Sequence, residues 1–454
     1  MSRLSALSAP FPSRARRAPL VMLLFAWVFT ATATAQEADA DPTAGPSKYL
    51  GVVTCSGSTC HGAPRPSPDA RVLQNEFITW HREDAHAKAY RVLLEEKGKR
   101  IAENLGIANA AAAPECLNCH TNNAPVELRG KRFQLADGVG CESCHGPASK
   151  WLGLHVTGEA SREENLKAGM YRTEDPVARA ALCQGCHVGD NSKFATHRIM
   201  GAGHPRLAFE LDTFTMLQPA HYRADADYRS RKRIASHVQV WAIGQAAAAK
   251  RTLDLFVGGK WQGTGVMPEF AFFDCHACHH PMDTPRWAPR ATTGLPPGVV
   301  RLNDANLLML LYLTRAIEPA TAESLHQGLL ALHKASTESP AATQTAAKAL
   351  AATVAQAESQ VRGHGFSADE TRTILGSIVD GGIGGDYRDF AAAEQAIMAI
   401  HALTDSLRDA GAHDDTKAAA LDARIKVLYT VLENQNTYDP ARFRSELETL
   451  KASL

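Results

Sequence analysis

Ten cysteines constrain this 454-residue chain more than anything else in it. They fall into five pairs, and each pair ends in Cys-His: CSGSTCH (Cys55, Cys60, His61), CLNCH (Cys116, Cys119, His120), CESCH (Cys141, Cys144, His145), CQGCH (Cys183, Cys186, His187) and CHACH (Cys275, Cys278, His279). With only 19 histidines in the chain, a histidine after the second cysteine every time is not coincidence. The pattern C-x-x-C-H attaches c-type haem. Two thiols add across the vinyl groups on one porphyrin edge, and the next residue projects an imidazole onto the iron. Zinc is the main competitor, because paired C-x-x-C units build structural zinc sites. Zinc would not require a histidine after each second cysteine, and five pairs do not divide evenly into four-donor sites. The expectation is five covalently attached haems c, with His61, His120, His145, His187 and His279 as proximal ligands. The first motif keeps an alternative, a disulfide between Cys55 and Cys60 with four haems bound. Gly57 and its small neighbours let the two extra residues bulge, which favours the haem.

The amino terminus predicts export. Arg14, Arg16 and Arg17 precede an apolar run from Leu20 to Phe29, and Ala33, Thr34 and Ala35 supply a small-residue cleavage site before Gln36. Residues 1–35 therefore read as a secretory signal; as a membrane anchor the run is short. Haem is added to c-type apoproteins outside the cytoplasm, which agrees with a periplasmic or otherwise extracytoplasmic protein. No later stretch is apolar enough to span a bilayer, so no integral membrane protein is expected after cleavage. The 48 Lys and Arg balance 48 Asp and Glu, and losing the signal removes four arginines, leaving a slight acidic excess. Nothing in that balance suggests a nucleic-acid partner.

All five motifs lie between Cys55 and His279. Residues 36–290 then form a multihaem module in which porphyrins replace a side-chain core, wrapped by short helices and loops with little strand. The Pro/Gly-rich stretch from Pro281 to Val300 ends in a linker at 291–300. Beyond it the texture is Ala- and Leu-rich, which predicts an all-helical domain over 301–454 with five to seven helices. Leu325, Leu329 and Leu332 mark one apolar face, Ser367 to Glu370 is a capping box, and Asp439-Pro440 starts a helix carrying Phe443, Leu447 and Leu450. The fold class is mainly α.

A low-spin haem needs a sixth ligand, and nine further histidines lie in the haem region: His81, His86, His155, His197, His204, His221, His237, His276 and His280. His86 shares a helical face with Tyr90 and Leu93, while His81 lies on another. His155 follows ten residues after His145 and can serve a neighbouring haem. Gly201, Gly203 and Pro205 shape the approach of His204. His237, Trp241 and Gly244 make one helical stripe on which a ring could lie flat. His276, inside its own attachment loop, is expected to face solvent. The distal candidates are therefore His86, His155, His204 and His237. Histidines 326, 333, 364, 401 and 413 of the helical region read as surface or helix-face residues.

The segments GVGCESCHGPASKWL, THRIMGAGHPRLAFELD and FFDCHACHHPM resemble the periplasmic multihaem cytochromes c related to the tetrahaem cytochrome of ammonia oxidisers. The resemblance covers roughly residues 50–285. It implies haems in close pairs, mostly with histidine on both sides, passing electrons along a chain, and it supports His86, His155 and His204 as distal ligands. Five motifs instead of four and the helical carboxy-terminal region set this chain apart, so the relative's partner does not carry over.

The leading functional expectation is electron transfer between a redox donor and acceptor, with a quinol-oxidising membrane complex as one possible partner. The alternative is a multihaem oxidoreductase acting on a small nitrogen or sulfur compound at one five-coordinate haem. No C-x-x-C-Lys motif and no spare cysteine mark such an enzyme here. A third expectation makes the helical region a docking scaffold, against the simpler view that its apolar faces form an internal bundle core.

Overall fold

The computed structural model describes residues 45–68, 72–263, 267–279, 290, 293–296 and 298–454. The expected signal at 1–35, His280 and residues 291, 292 and 297 of the expected linker lie outside the described residues. The described chain is mainly α; its only β pairing is three isolated bridges.

The first half is built from short helices: α1 (Glu76–Glu83), α2 (Glu96–Leu105), α3 (Pro114–His120), α4 (Cys141–His145), α5 (Leu152–Thr157), α6 (Arg162–Lys167), α7 (Pro176–His187), α8 (His197–Gly201), α9 (Leu211–Leu217) and α10 (Ala226–Arg231). Local chemistry sets their lengths. Pro114 and Pro176 occupy first-turn positions where the missing N–H costs nothing, and Asp175 caps α7 by accepting from Val177 N. Gly146, at φ 82°, ends α4 directly after its histidine. Three attachment motifs thus finish helices, each histidine being the last helical residue. This half has little apolar core of its own beyond a small cluster of Leu93, Ala102, Ala110, Ala111 and Leu117.

The second half differs. Helix α11 (His237–Val257), capped by Ser236, is buried along most of its length. It is surrounded by α9, α12 (Ala305–Ile317), α14 (Pro340–Gly363) and α16 (Phe390–Asp409), with α13 (Pro319–Ser336), α15 (Ala368–Ile383), α17 (Asp415–Val431) and α18 (Pro440–Lys451) completing the bundle. Gly244 lets α11 and α9 close up, since a Cβ there would stand 2.6 Å from Leu211 Cβ. Ser367 and Glu370 form a capping box at the start of α15, and Phe443, Leu447 and Leu450 are buried on α18.

The apolar core does not stop at residue 300. It runs continuously from Ala180 through Phe209, Trp241 and Phe272 to Leu450. The chain passes the expected linker and returns to pair with the last motif's approach: Asp274 N donates to Arg301 O at 3.0 Å and Asn303 N to Phe272 O at 2.8 Å. Pro and Gly content marks where helix stops, not where packing stops, and α11 belongs to the bundle although it precedes the stretch.

Candidate functional site

In a helical turn, residues three and four apart share a face. C-x-x-C-H therefore sets two thiols and an imidazole side by side on α3, α4 and the last turn of α7. The fifth motif does the same in a 3-10 turn over Cys275–Ala277, closed by His279 N donating to Cys275 O at 2.7 Å. The first motif has no helix. Its extra residues loop out, with Cys60 N and Gly62 N both donating to Gly57 O at 2.9 Å. His61 N then reaches back to Cys55 O at 3.2 Å. No disulfide joins Cys55 to Cys60 or any other two of the ten cysteines.

Every motif histidine faces a second imidazole from another part of the chain. Ring centroids are 6.0 Å apart for His61 and His155, 6.2 Å for His120 and His204, and 6.3 Å for His145 and His221. They are 6.1 Å apart for His187 and His86, and 6.2 Å for His279 and His197. Metal–imidazole bonds of about 2 Å, with roughly 1.2 Å from nitrogen to ring centre, put two rings on opposite sides of one metal about 6.4 Å apart. The five separations match that figure, so each pair could take one haem iron between its rings. Among the described residues no three His, Cys, Asp or Glu donors converge on a metal-sized site. Apolar side chains exposed beside the pairs, Val53, Leu154, Val156, Met216, Leu217 and Phe270, suit a flat apolar macrocycle.

Several rings are fixed through Nδ1, which leaves Nε2 free to ligate a metal. Glu76 Oε2 stands 2.9 Å from His61 Nδ1 and Asp84 Oδ1 2.9 Å from His86 Nδ1. Carbonyls of Ala89 and Pro205 take the Nδ1 of His120 and His204 at 2.8 Å. The carboxylates push His61 and His86 upward in pKa, each against the opposing effect of burial. Burial, aided by the facing imidazole, brings His145 and His187 down to about 4, so both rings are neutral at pH 7, as ligation requires.

Three of the four expected distal candidates, His86, His155 and His204, therefore sit opposite a motif histidine. His237 does not. Its Nδ1 is 2.8 Å from Asp212 Oδ2 and its Nε2 3.7 Å from Asp409, and Leu211 occupies the space beside Gly244 where a ring was expected. The remaining partners are His197, first residue of α8, and His221, between α9 and α10, neither of which local sequence singled out. His276 is buried rather than solvent-facing, with Nε2 2.8 Å from Gln435 O. His81 stacks on Phe77 at 5.6 Å. In the bundle, His333 is fully buried against Asp304 Oδ2 at 2.9 Å.

The motifs also adjoin one another. Leu50 N and Gly51 N, just ahead of the first motif, donate to the Glu142 carboxylate inside the third at 2.8 and 2.7 Å. Tyr171 links third and fourth, its N donating to His145 O and its hydroxyl to Ala178 O of α7, both at 2.8 Å. Cys186 Sγ reaches Asn118 O at 4.0 Å, linking fourth and second. A cleft of about 490 Å³ lined by Leu93, Ala102, Ile107 and Ala110 opens beside the second motif.

A family model described as cytochrome c554 and c-prime matches residues 54–146, which include the first three motifs. No curated protein and no solved structure matches the chain. Among the described residues no helix is long and apolar enough to cross a membrane.

Proposed function

We propose, from the premise that this chain is a cytochrome c family protein with a cytochrome c554-type segment at residues 54–146, that it is an exported pentahaem cytochrome carrying single electrons between redox partners. The observation that carries this is the set of five opposed imidazole pairs, one to each attachment motif. Haem supplies a one-electron iron couple when bound. The residues do the rest. Cys55 and Cys60, Cys116 and Cys119, Cys141 and Cys144, Cys183 and Cys186, and Cys275 and Cys278 would tether the porphyrin edges. His61 with His155, His120 with His204, His145 with His221, His187 with His86, and His279 with His197 would hold the five irons from both sides and leave small ligands no open face. Glu76 and Asp84 hold their imidazoles in one tautomer and make them more basic ligands, which favours the ferric state.

Ten haem propionates would add roughly ten negative charges to the slightly acidic mature chain, so a redox partner with a basic docking face is expected. The apolar signal at residues 1–35 and the extracytoplasmic attachment chemistry support a periplasmic location, where a quinol-oxidising membrane complex is one candidate donor. The competing enzymatic reading needs an iron with one open side, and each motif histidine here already faces a second ring. The scaffold reading needs an uncommitted apolar face on the bundle, whereas α11 to α18 spend theirs on one shared core.

Mass spectrometry of the mature holoprotein tests the count: five haem increments on a chain beginning at Gln36 are expected. Four increments would return Cys55 and Cys60 to the disulfide alternative. A high-spin signal that shifts with nitrite, hydroxylamine or nitric oxide would favour the oxidoreductase.

A further inference from the structure

Hydrogen bonds join four motifs in the order first, third, fourth, second: Leu50 N and Gly51 N, just ahead of the first, donate to Glu142 inside the third, Tyr171 spans from His145 O to Ala178 O of α7, and Cys186 Sγ reaches Asn118 O of the second. The fifth motif's link is a short segment that carries two of the facing histidines. His197 opens α8 and faces His279 of the fifth motif; His204 follows the turn at Gly203 and faces His120 of the second. Only the rest of α8 and the turn through Gly203 separate the two. Helix α8 is fastened to the second motif's layer, with Arg198 donating to Leu105 O and Asn104 Nδ2 to Ala202 O at 2.9 Å. Exposure agrees independently. Cys60 of the first motif and Cys278 of the fifth are exposed, and the other eight thiols are partly covered.

The fifth motif is also the one that the bundle holds. Asp274 caps its turn, accepting from His276 N at 3.0 Å and from Arg301 at 2.7 Å. Arg301 in turn faces Asp389, which caps α16. His276, inside the attachment loop, reaches Gln435 O between α17 and α18, and its ring lies 5.9 Å from that of Phe390. Arg206, next to the His204 turn, pairs with Glu394 of α16 at 2.8 Å.

We propose that the fifth site is the outer end of a relay ordered first, third, fourth, second, fifth, and that the carboxy-terminal bundle is the cradle that adds this terminus beyond the second site. Electrons enter and leave at the first and fifth sites, on opposite ends of the order, while the third, fourth and second lie between them. This rests on the five-site electron-transfer reading above.

The test uses the full-length holoprotein. His197→Ala is expected to retain five haems by mass and to convert one iron to high spin, and added imidazole restores it. Among the other four midpoint potentials, the one assigned to the second motif through His204→Ala moves most, and the one assigned to the first through His155→Ala stays put. His197→Met, which keeps six ligands and raises a single potential, covers an alanine variant that fails to mature. Five bound haems with no iron altered by either His197 substitution would overturn the proposal, as would a largest secondary shift at the first or third motif. Four haems on the wild-type chain, with Cys275 and Cys278 unmodified, would instead sink the five-site reading. For the cradle, His276→Ala is expected to shift and broaden the fifth site's signal alone. His276→Gln, whose amide can still donate to Gln435 O, restores it; a His276→Ala protein identical to wild type would remove the bundle from the account.

Discussion

Asp84 offers the sharpest single perturbation of one iron. It is buried, and its Oδ1 is 2.9 Å from both the backbone nitrogen and Nδ1 of His86, while Gln218 Nε2 donates to Oδ2 at 3.0 Å. Burial opposes its charge, but these bonds outweigh burial and hold its carboxyl at about 2, so it is ionised at neutral pH. Crossing the His86 ring and one metal–nitrogen bond adds about 4 Å, which puts the carboxylate roughly 6–7 Å from an iron held between His86 and His187. At an effective dielectric constant of about 20, one unit of charge at that distance is worth about 2.5 kcal/mol. For a one-electron couple, with about 59 mV per tenfold change, this is on the order of 100 mV. Removing the negative charge destabilises the ferric state, so Asp84→Asn should raise one midpoint potential by about that amount and leave the first-motif potential unchanged. Spectroelectrochemical titration of both holoproteins reads it directly. A potential that falls, or five potentials all within about 20 mV of wild type, would refute the placement of Asp84 behind an iron-ligating His86.

His221→Ala should open one iron to high spin, whereas His237→Ala should leave all five low-spin; absorption spectra of the oxidised proteins compare them. Glu210 is fully buried, and burial followed by the nearby Asp212 raises it to about 7. Because its folded pKa exceeds the unfolded value, its contribution is full below about pH 4.5 and is lost as pH rises through 7. Glu210→Gln should therefore flatten the fall in melting temperature between pH 5 and 7. Gly244→Ala drives a Cβ to 2.6 Å from Leu211 Cβ and should cost about 1–3 kcal/mol, measured by denaturant unfolding of the holoprotein.

Much of the site was legible because its chemistry is written locally. A thiol pair and the following imidazole need only one turn of backbone, so the five motifs announce themselves. His86, His155 and His204 carried cues in their own neighbourhoods. His197 and His221 carried none: a facing imidazole is delivered by a segment far along the chain, and only the tertiary path decides which histidine arrives. The stripe of His237, Trp241 and Gly244 is real, but periodicity reports that a face is buried and not what buries it, here Leu211 and the bundle core. His276 was misjudged for the converse reason, since the bundle that covers it comes from residues more than a hundred positions later. The expected division near residue 300 failed similarly, because α11 lies before the Pro/Gly stretch yet packs among the helices after it.

The central claim is that every attached haem has histidine on both sides. Mössbauer spectroscopy of the oxidised, iron-57-enriched holoprotein counts spin states irrespective of magnetic coupling between neighbouring irons. All the iron, five equivalents per chain, should be low-spin ferric. A high-spin component amounting to one iron in five would contradict it, because one of the five imidazole pairs would then not close on its metal.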